Sequence, residues 1–471
     1  MDDLNFLPAS EMAARIRRKE ISIVELAEAH LSRIDRVNPR INAIVSLDPE
    51  RIRREARSAE TAVLRGEPLG PLHGVPITIK SSIDVQGLPC QTGSKLRAGN
   101  IPEADAPLVR RLKAAGAIVL GNTNVPELLM AYETDNLLDG RTNNPWDLEC
   151  TPGGSSGGEA AAIAAGCSAG GVGSDGGGSI RVPAHFSGIC GLKPTPGRIP
   201  ATGHFPGSLG PFTQLGVVGP MARTVGDLEL LLEAMAGPDD GDVRSAPVPL
   251  RRLDMKALPS DLRIGYFEDD GIAPVTLETR QAVRKAAKSL QDQGFTLEPF
   301  RPEGLEHIRE LWWFFFGLVG GQVLASMIQG HEAELSPILL EFMGFVRASP
   351  PLSLSQLLDA WMERDQCKIR FLEQMRKYPV LLSPVCSVPA FRHGERKWEI
   401  DGKEVGYLDS MRYTQWFNLL GNPAVVVPVG RSPEGLPIGV QLAGRHYEEE
   451  IILAVARCVE RGCDGWERPP C

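Results

Sequence analysis

The chain has 471 residues, 42% hydrophobic and 23% charged, with a formal net charge of −9. That composition is ordinary for a globular protein, and the acidic balance argues against a nucleic-acid binder, whose affinity rests on Lys and Arg against phosphates. The length would allow several domains, but nothing in the middle reads as a linker, so one domain spanning 1–471 is expected.

The N-terminal part reads as helical. Ser22-Ile23-Val24-Glu25 fits a capping box, and the helix it opens is expected to stop before Asn38-Pro39. Asp48-Pro49 supplies an N-cap and an N1 proline for a second helix running toward Gly66. From Gly74 to Lys80 apolar residues alternate at Val75, Ile77 and Ile79, which predicts a strand with Thr78 and Lys80 on its other face. Asp105 to Gly116 reads as a capped helix, followed by a buried strand at Ala117–Leu120. Ser156-Gly157-Gly158-Glu159 again fits a capping box, opening a small-residue helix over Ala160–Ala165. Thr224 caps an apolar helix ending near Gly237, and Arg280–Gln293 reads as a helix. Arg263–Tyr266, Val380–Leu382, Pro423–Pro428 and Ile438–Leu442 read as strands. Helices and strands alternate throughout, so the class is α/β.

The nine cysteines show no C-x-x-C pair. Cys463 and Cys471 could bridge, but free thiols in a reducing cytoplasm are the expectation. The eight histidines show no ligand spacing, so no metal is expected. The acidic start Met1-Asp2-Asp3 has no apolar core, so no secretory leader is expected. The most apolar run, Leu311–Val319, is too short to span a bilayer. These features predict a cytoplasmic protein without an integral membrane segment.

The stretch Pro152–Pro183 reads PGGSSGGEAAAIAAGCSAGGVGSDGGGSIRVP. Glycine costs helix and strand stability, so such density calls for a reason. One reason is close approach of backbone N–H groups to a reacting centre. Here Gly176-Gly177-Gly178 ends on Ser179, the pattern an oxyanion hole beside a serine nucleophile requires. Gly153–Gly157 matches G-x-S-x-G, but turn-like residues rather than an apolar strand precede it. Gly171–Gly176 matches G-x-G-x-x-G, but it follows a helix, and Pro183 interrupts the helix that should bind a dinucleotide. No cofactor is expected. A serine nucleophile needs a base, and a lysine made neutral by burial can serve. Lys80 ends an apolar strand; from the strand alone the surface-lysine reading is the stronger one.

The chain resembles the amidase signature family. The resemblance rests on Gly153–Glu159 (GGSSGGE), Gly173–Ala184 (GSDGGGSIRVPA), His73–Lys80 (HGVPITIK), Gly219–Asp227 (GPMARTVGD), Pro423-Ala424 and Gly435–Leu442 (GLPIGVQL), in the family's order. It implies a central mixed twisted sheet covered on both faces by helices, with 1–66 as an N-terminal helical part. The catalytic signature core would be 67–240, and 241–471 would add strands and substrate-pocket elements. It also implies Ser179 as nucleophile, Ser155 as a bridging serine after a cis peptide bond, and Lys80 as general base. The oxyanion donors would be the amides of Gly176, Gly177, Gly178 and Ser179. Asp175, Arg181 and Ser156 would support the loop, Asp175 and Arg181 as a structural ion pair. Gly176 departs from relatives that carry a larger residue there, which would leave that edge of the loop more open.

Within the family, Asp139–Pro145 and Gly197–Pro206 resemble the fatty-acid-amide-hydrolase-like branch. Met130, Tyr132, Phe205 and Phe212 fall in segments that line pockets in relatives. The run Trp312–Phe316 reads as pocket lining or as ordinary core. The resemblance thus implies an amidohydrolase of small linear amides with apolar or aryl groups, with carbamates and esters as close competitors. The protein would act as a monomer or homodimer. The alternative is a glutaminase of the glutamyl-tRNA amidotransferase type, which needs partner proteins.

Overall fold

The computed structural model describes residues 4–207, 210–251, 258–259, 261–304, 306–463 and 465–471. The acidic start, residues 1–3, lies outside them. In chain order the strands are β1 (Ile44–Leu47), β2 (Pro76–Lys80), β3 (Ile118–Thr123), β4 (Gly170–Asp175), β5 (Cys190–Lys193), β6 (Val217–Ala222) and β7 (Arg263–Tyr266). They continue with β8 (Thr296–Pro299), β9 (Val380–Pro384), β10 (Lys397–Ile400), β11 (Lys403–Gly406), β12 (Ala424–Arg431) and β13 (Pro437–Ala443). Eleven form one sheet in the order β1-β3-β2-β4-β6-β5-β12-β13-β9-β7-β8, and β10–β11 pair separately. The sheet is mixed: β2 runs parallel to β3 and β4, whereas β4 and β6 are antiparallel.

Both faces of the sheet are covered. Along β12, Val425 and Val427 join a core with Leu228, Val283 and Ile452, contributed by helices Val225–Met235, Leu277–Asp292 and Glu449–Gly462. The intervening Val426 joins a second core with Ile163, Val182 and Phe186, from helices Gly157–Ala164 and Arg181–Ser187. Strands buried on both faces read as continuous apolar runs where their residues are aliphatic, which is why β3, β9, β12 and β13 were visible in the sequence, whereas the central β4, β5 and β6, each interrupted by glycine, were not.

Local signals held where the cap is local. Ser22 and Asp48 accept the N–H groups of Glu25 and Arg51, and Thr224 accepts that of Asp227. Three expectations are corrected. The helix that Ser22 opens, Ile23–Ile41, continues through Pro39 and ends on Asn42 in the left-handed region. Pro39 sits in the last turn, where its missing N–H costs one hydrogen bond rather than a kink. Asp105 does not cap the next helix, Pro107–Ala114; its carboxylate takes the Gln86 N–H and the Lys113 ammonium instead. Ser156 makes no side-chain cap for Gly157–Ala164, because its hydroxyl is engaged elsewhere.

The apolar run Leu311–Val319 is part of a longer element than expected. Helix Ile308–Trp313, the π-helical turn Phe314–Val319 and helix Gly320–Ile328 join into one 21-residue helical stretch. Its length and apolarity would suffice to cross a bilayer. Ile308, Leu311, Trp312, Phe315, Leu324 and Ile328 are buried against the rest of the chain. Among the described residues no disulfide joins the cysteines, Cys463 and Cys471 included.

Candidate active site

Lys80 ends β2, and its fully buried amine stands among three serine hydroxyls. Nζ lies 2.7 Å from Ser155 Oγ, 2.9 Å from Ser156 Oγ and 2.9 Å from Ser174 Oγ. Burial brings this amine down to about 7, against the pull of Asp175 and Glu159. A neutral amine has two donors and one lone pair, which matches three close neighbours. Ser156 Oγ also accepts the Ser174 N–H and donates to the Ser174 carbonyl, so it is left to accept from Lys80. Ser155 is then free to donate its O–H to the lone pair. The Gly154–Ser155 peptide bond is cis. Ser174, at the end of β4, carries no motif of its own and was not singled out in the sequence.

Glu159 lies beneath this cluster. Its fully buried carboxyl, pushed up to about 8 by burial, accepts the hydroxyls of Thr78 at 2.5 Å and Thr123 at 2.7 Å. The glutamate read as a helix cap thus ties β2 and β3 to the helix that follows the two serines.

Ser179 is 9% exposed and its carbonyl accepts the Ser156 N–H at 3.1 Å, which joins the two Gly/Ser segments. Ser179 and Ser155 both line a small cavity of about 50 Å³, with Gly176, His204 and Phe212. Ser179 and Gly177 also face a larger cavity of about 400 Å³, lined by Met130, Tyr132, Trp312, Trp313, Phe316 and Phe342. The aromatic run therefore serves both roles left open by the sequence. Trp312, Trp313 and Phe316 face the cavity, while Phe315 packs in the core against Trp361. Phe205 lines neither cavity, contrary to expectation: its ring lies under the Arg97 guanidinium, 4.1 Å from ring centre to carbon.

The loop at Gly176–Ser179 is held from behind. Trp312 Nε1 donates to the Gly176 carbonyl at 2.9 Å. Tyr132 and Thr414 hydroxyls donate to the Gly177 carbonyl at 2.9 and 2.7 Å. The C=O and N–H of a trans peptide point in opposite directions, so fixing the Gly176 carbonyl aims the Gly177 N–H. The Gly178 N–H is already committed to Asp175 Oδ1 at 2.7 Å. This corrects the expected set of four free amides to Gly176, Gly177 and Ser179. The open edge expected at Gly176 is filled by Phe316, whose ring carbon would lie 3.0 Å from a Cβ there.

Asp175 and Arg181 form the expected ion pair, fully buried, with Nε and Nη2 each 3.0 Å from the carboxylate. Burial opposes the Asp175 charge, but Arg181, Lys193 and Asn418 hold its carboxyl well below the usual range. Asn418 and Gln441 complete the network on Arg181; neither was expected from the sequence. His185 is lowered to about 4 by burial and is occupied at both ring nitrogens, by the Gly439 N–H and the Val388 carbonyl. Among the described residues no group of His, Cys, Asp and Glu could hold a metal ion.

The family model described as Amidase matches residues 25–453. An acylamidase of Rhodococcus erythropolis is 36% identical over 96% of this chain and 95% of its own length. A glutamyl-tRNA(Gln) amidotransferase component of Moorella thermoacetica is 35% identical over 99% of both chains. Among solved structures, a bacterial aryl acylamidase of the amidase signature enzymes superposes with a TM-score of 0.85 at 26% identity, covering 97% of this chain and 96% of that one. Fatty acid amide hydrolase superposes with a TM-score of 0.86, also at 26% identity, covering 98% of this chain and 86% of that one. The chain belongs to the amidase signature family, and is accordingly a hydrolase of carbon–nitrogen bonds in amides.

Proposed function

We propose that the protein is a stand-alone hydrolase of linear amides with an apolar or aryl acyl group, working through an acyl-enzyme on Ser179. The observation that carries this is the buried Lys80 amine, brought down to about 7, beside Ser155, which lines a small cavity together with Ser179, the serine that also faces the aromatic cavity. Ser179 Oγ attacks the amide carbon as its proton passes to Ser155 and that of Ser155 to Lys80. The carbonyl oxygen becomes an oxyanion held by the N–H groups of Gly176, Gly177 and Ser179. Collapse breaks the C–N bond, and the amine leaves with the proton returned through Ser155. Water then attacks acyl-Ser179 by the same relay, releasing the acid and restoring the serine. Aryl carbamates and esters present the same carbonyl and are read as secondary substrates.

The similarity to the amidotransferase component keeps glutamine as the second reading. The cavity favours the first. Its charged groups sit in ion pairs: Arg309 with Asp409, Arg396 with Glu133 and Glu341, and Lys397 with Glu404. The ammonium and carboxylate of glutamine would meet groups already paired, whereas an aryl or alkyl chain meets aromatic walls. A single chain acting as a monomer or homodimer in a reducing cytoplasm fits cysteines that form no disulfide among the described residues.

The test is hydrolysis of an anilide, an aliphatic amide, an aryl carbamate, an ester and glutamine by the purified chain and by Ser179→Ala. Anilide turnover that falls by roughly 10⁴-fold or more in the variant is expected. Turnover of glutamine alone, or only after partner proteins are added, would overturn the reading.

A further inference from the structure

A third cavity, of about 310 Å³, lies apart from the aromatic one and shares only Arg244 with the small cavity at Ser179. Arg244, Arg364, Lys368 and His446 line it together with Thr195 and Gln214, and no carboxylate is among its lining residues. Arg364 and Lys368 stand one turn apart on helix Leu354–Gln374, so both charges face the same space. Arg364 is only 8% exposed, and its Nε donates to the Leu419 carbonyl at 3.1 Å. Its two terminal nitrogens have no acceptor among the described residues, and neither has the half-buried Lys368 amine.

The nearby acids are placed for other cations. Asp242 is bonded to Arg244, and Glu449 to Arg198. Asp365, adjacent in sequence and exposed, attracts both Arg364 and Lys368 but makes no ion pair or hydrogen bond with either and does not line the cavity. His446 donates Nε2–H to the Leu420 carbonyl and is held neutral by burial, so the cavity's charge comes from its Arg and Lys side chains. Buried charges in folded proteins are paired or bound to a counter-ion. Arg364 has an open guanidinium edge, a second cation beside it and room for several heavy atoms in front of both.

We propose that this cavity is a binding site for a small oxyanion, held by the Arg364 guanidinium and the Lys368 ammonium. The shared chemistry is a carboxylate or phosphate group, the planar or tetrahedral anion that a guanidinium edge grips with two parallel N–H bonds. The site is separate from the proposed acyl chemistry and does not depend on it.

Calorimetric titration of the purified chain with inorganic phosphate and with succinate, at constant ionic strength in chloride, tests this. At least one anion is expected to bind saturably, one per chain. Binding should weaken at least tenfold in Lys368→Gln and vanish in Arg364→Gln, and persist in Lys288→Gln, an exposed lysine paired with Asp292. Phosphate alone or succinate alone would identify which oxyanion the site takes. Lys368 is half-buried at a helix surface, so its variant tests the site even where Arg364→Gln does not fold. Absence of saturable binding by both anions, or unaltered binding in Lys368→Gln, would overturn the proposal.

Discussion

Lys80 Nζ lies 2.7 Å from Ser155 Oγ, in surroundings that bring the buried amine down to about 7. Below that pH the amine gains a third N–H and loses its lone pair, so it can no longer receive the serine proton. The sign is therefore fixed: activity is lost as pH falls through about 7 and is full above it. kcat/KM for an anilide, which does not itself titrate, should rise with pH and level off above neutrality. A profile flat from pH 5.5 to 9 would remove Lys80 as the base.

The indole of Trp312 reaches the oxyanion loop from the helical stretch that also walls the aromatic cavity. Trp312→Phe keeps an aromatic wall and deletes the N–H donated to the Gly176 carbonyl. A hydrogen bond of this kind is worth about 0.5–1.5 kcal/mol, or about 2–12-fold in rate. That loss is expected in kcat with KM little changed, because the aimed Gly177 N–H acts on the oxyanion and the wall binds substrate. Equal losses in binding and turnover would make Trp312 a wall residue only.

What could be read from the sequence divides along the range of the interactions. Caps at Ser22, Asp48 and Thr224 are contacts over three residues, and aliphatic strands such as β12 announce themselves as apolar runs, whereas the buried but glycine-interrupted β4, β5 and β6 do not. The proposed triad positions, Lys80, Ser155 and Ser179, come from the Gly/Ser motifs and the family resemblance, and the structure brings Lys80 and Ser155 to 2.7 Å. Of the supports, Asp175, Arg181 and Ser156 came with those motifs, but the distant ones did not: Ser174 meets Lys80 across 94 residues, Thr414 meets Gly177 across 237, and Asn418 meets Asp175 across 243. Ser156 fitted a local capping pattern, yet its tertiary partners Lys80 and Ser174 took the hydroxyl. In Trp312–Phe316 every position is aromatic, so periodicity could not separate wall from core.

The three loop glycines should differ in tolerance. A Cβ at Gly176 would lie 3.0 Å from the Phe316 ring, a contact that a small ring movement relieves. At Gly177 it would lie 2.4 Å from Trp312 Cζ2 and 2.9 Å from the Tyr132 hydroxyl, the two groups that fix the loop. Gly177→Ala is expected to lower kcat by about 10²-fold, the lower end for loss of an oxyanion donor. Gly176→Ala should remain within about tenfold of the parent. Comparable activities for the two variants would show that the loop is not fixed from behind.

Arg181 neutralises Asp175 at full burial, with Asn418 and Gln441 filling the remaining positions of both groups. Removing one member of such a pair leaves the other charge buried and uncompensated, at about 3–5 kcal/mol. Arg181→Met is therefore expected to lose most of that amount in chemical denaturation, with the slope against denaturant unchanged. Asp175 also holds the Gly178, Ile180 and Arg181 N–H groups, so it fixes the turn that presents Ser179. Asp175→Asn keeps the shape but weakens the charge-assisted bonds to those amides. It should lower kcat and stability together, and a variant that lost stability while keeping full kcat would separate the ion pair from the presentation of Ser179.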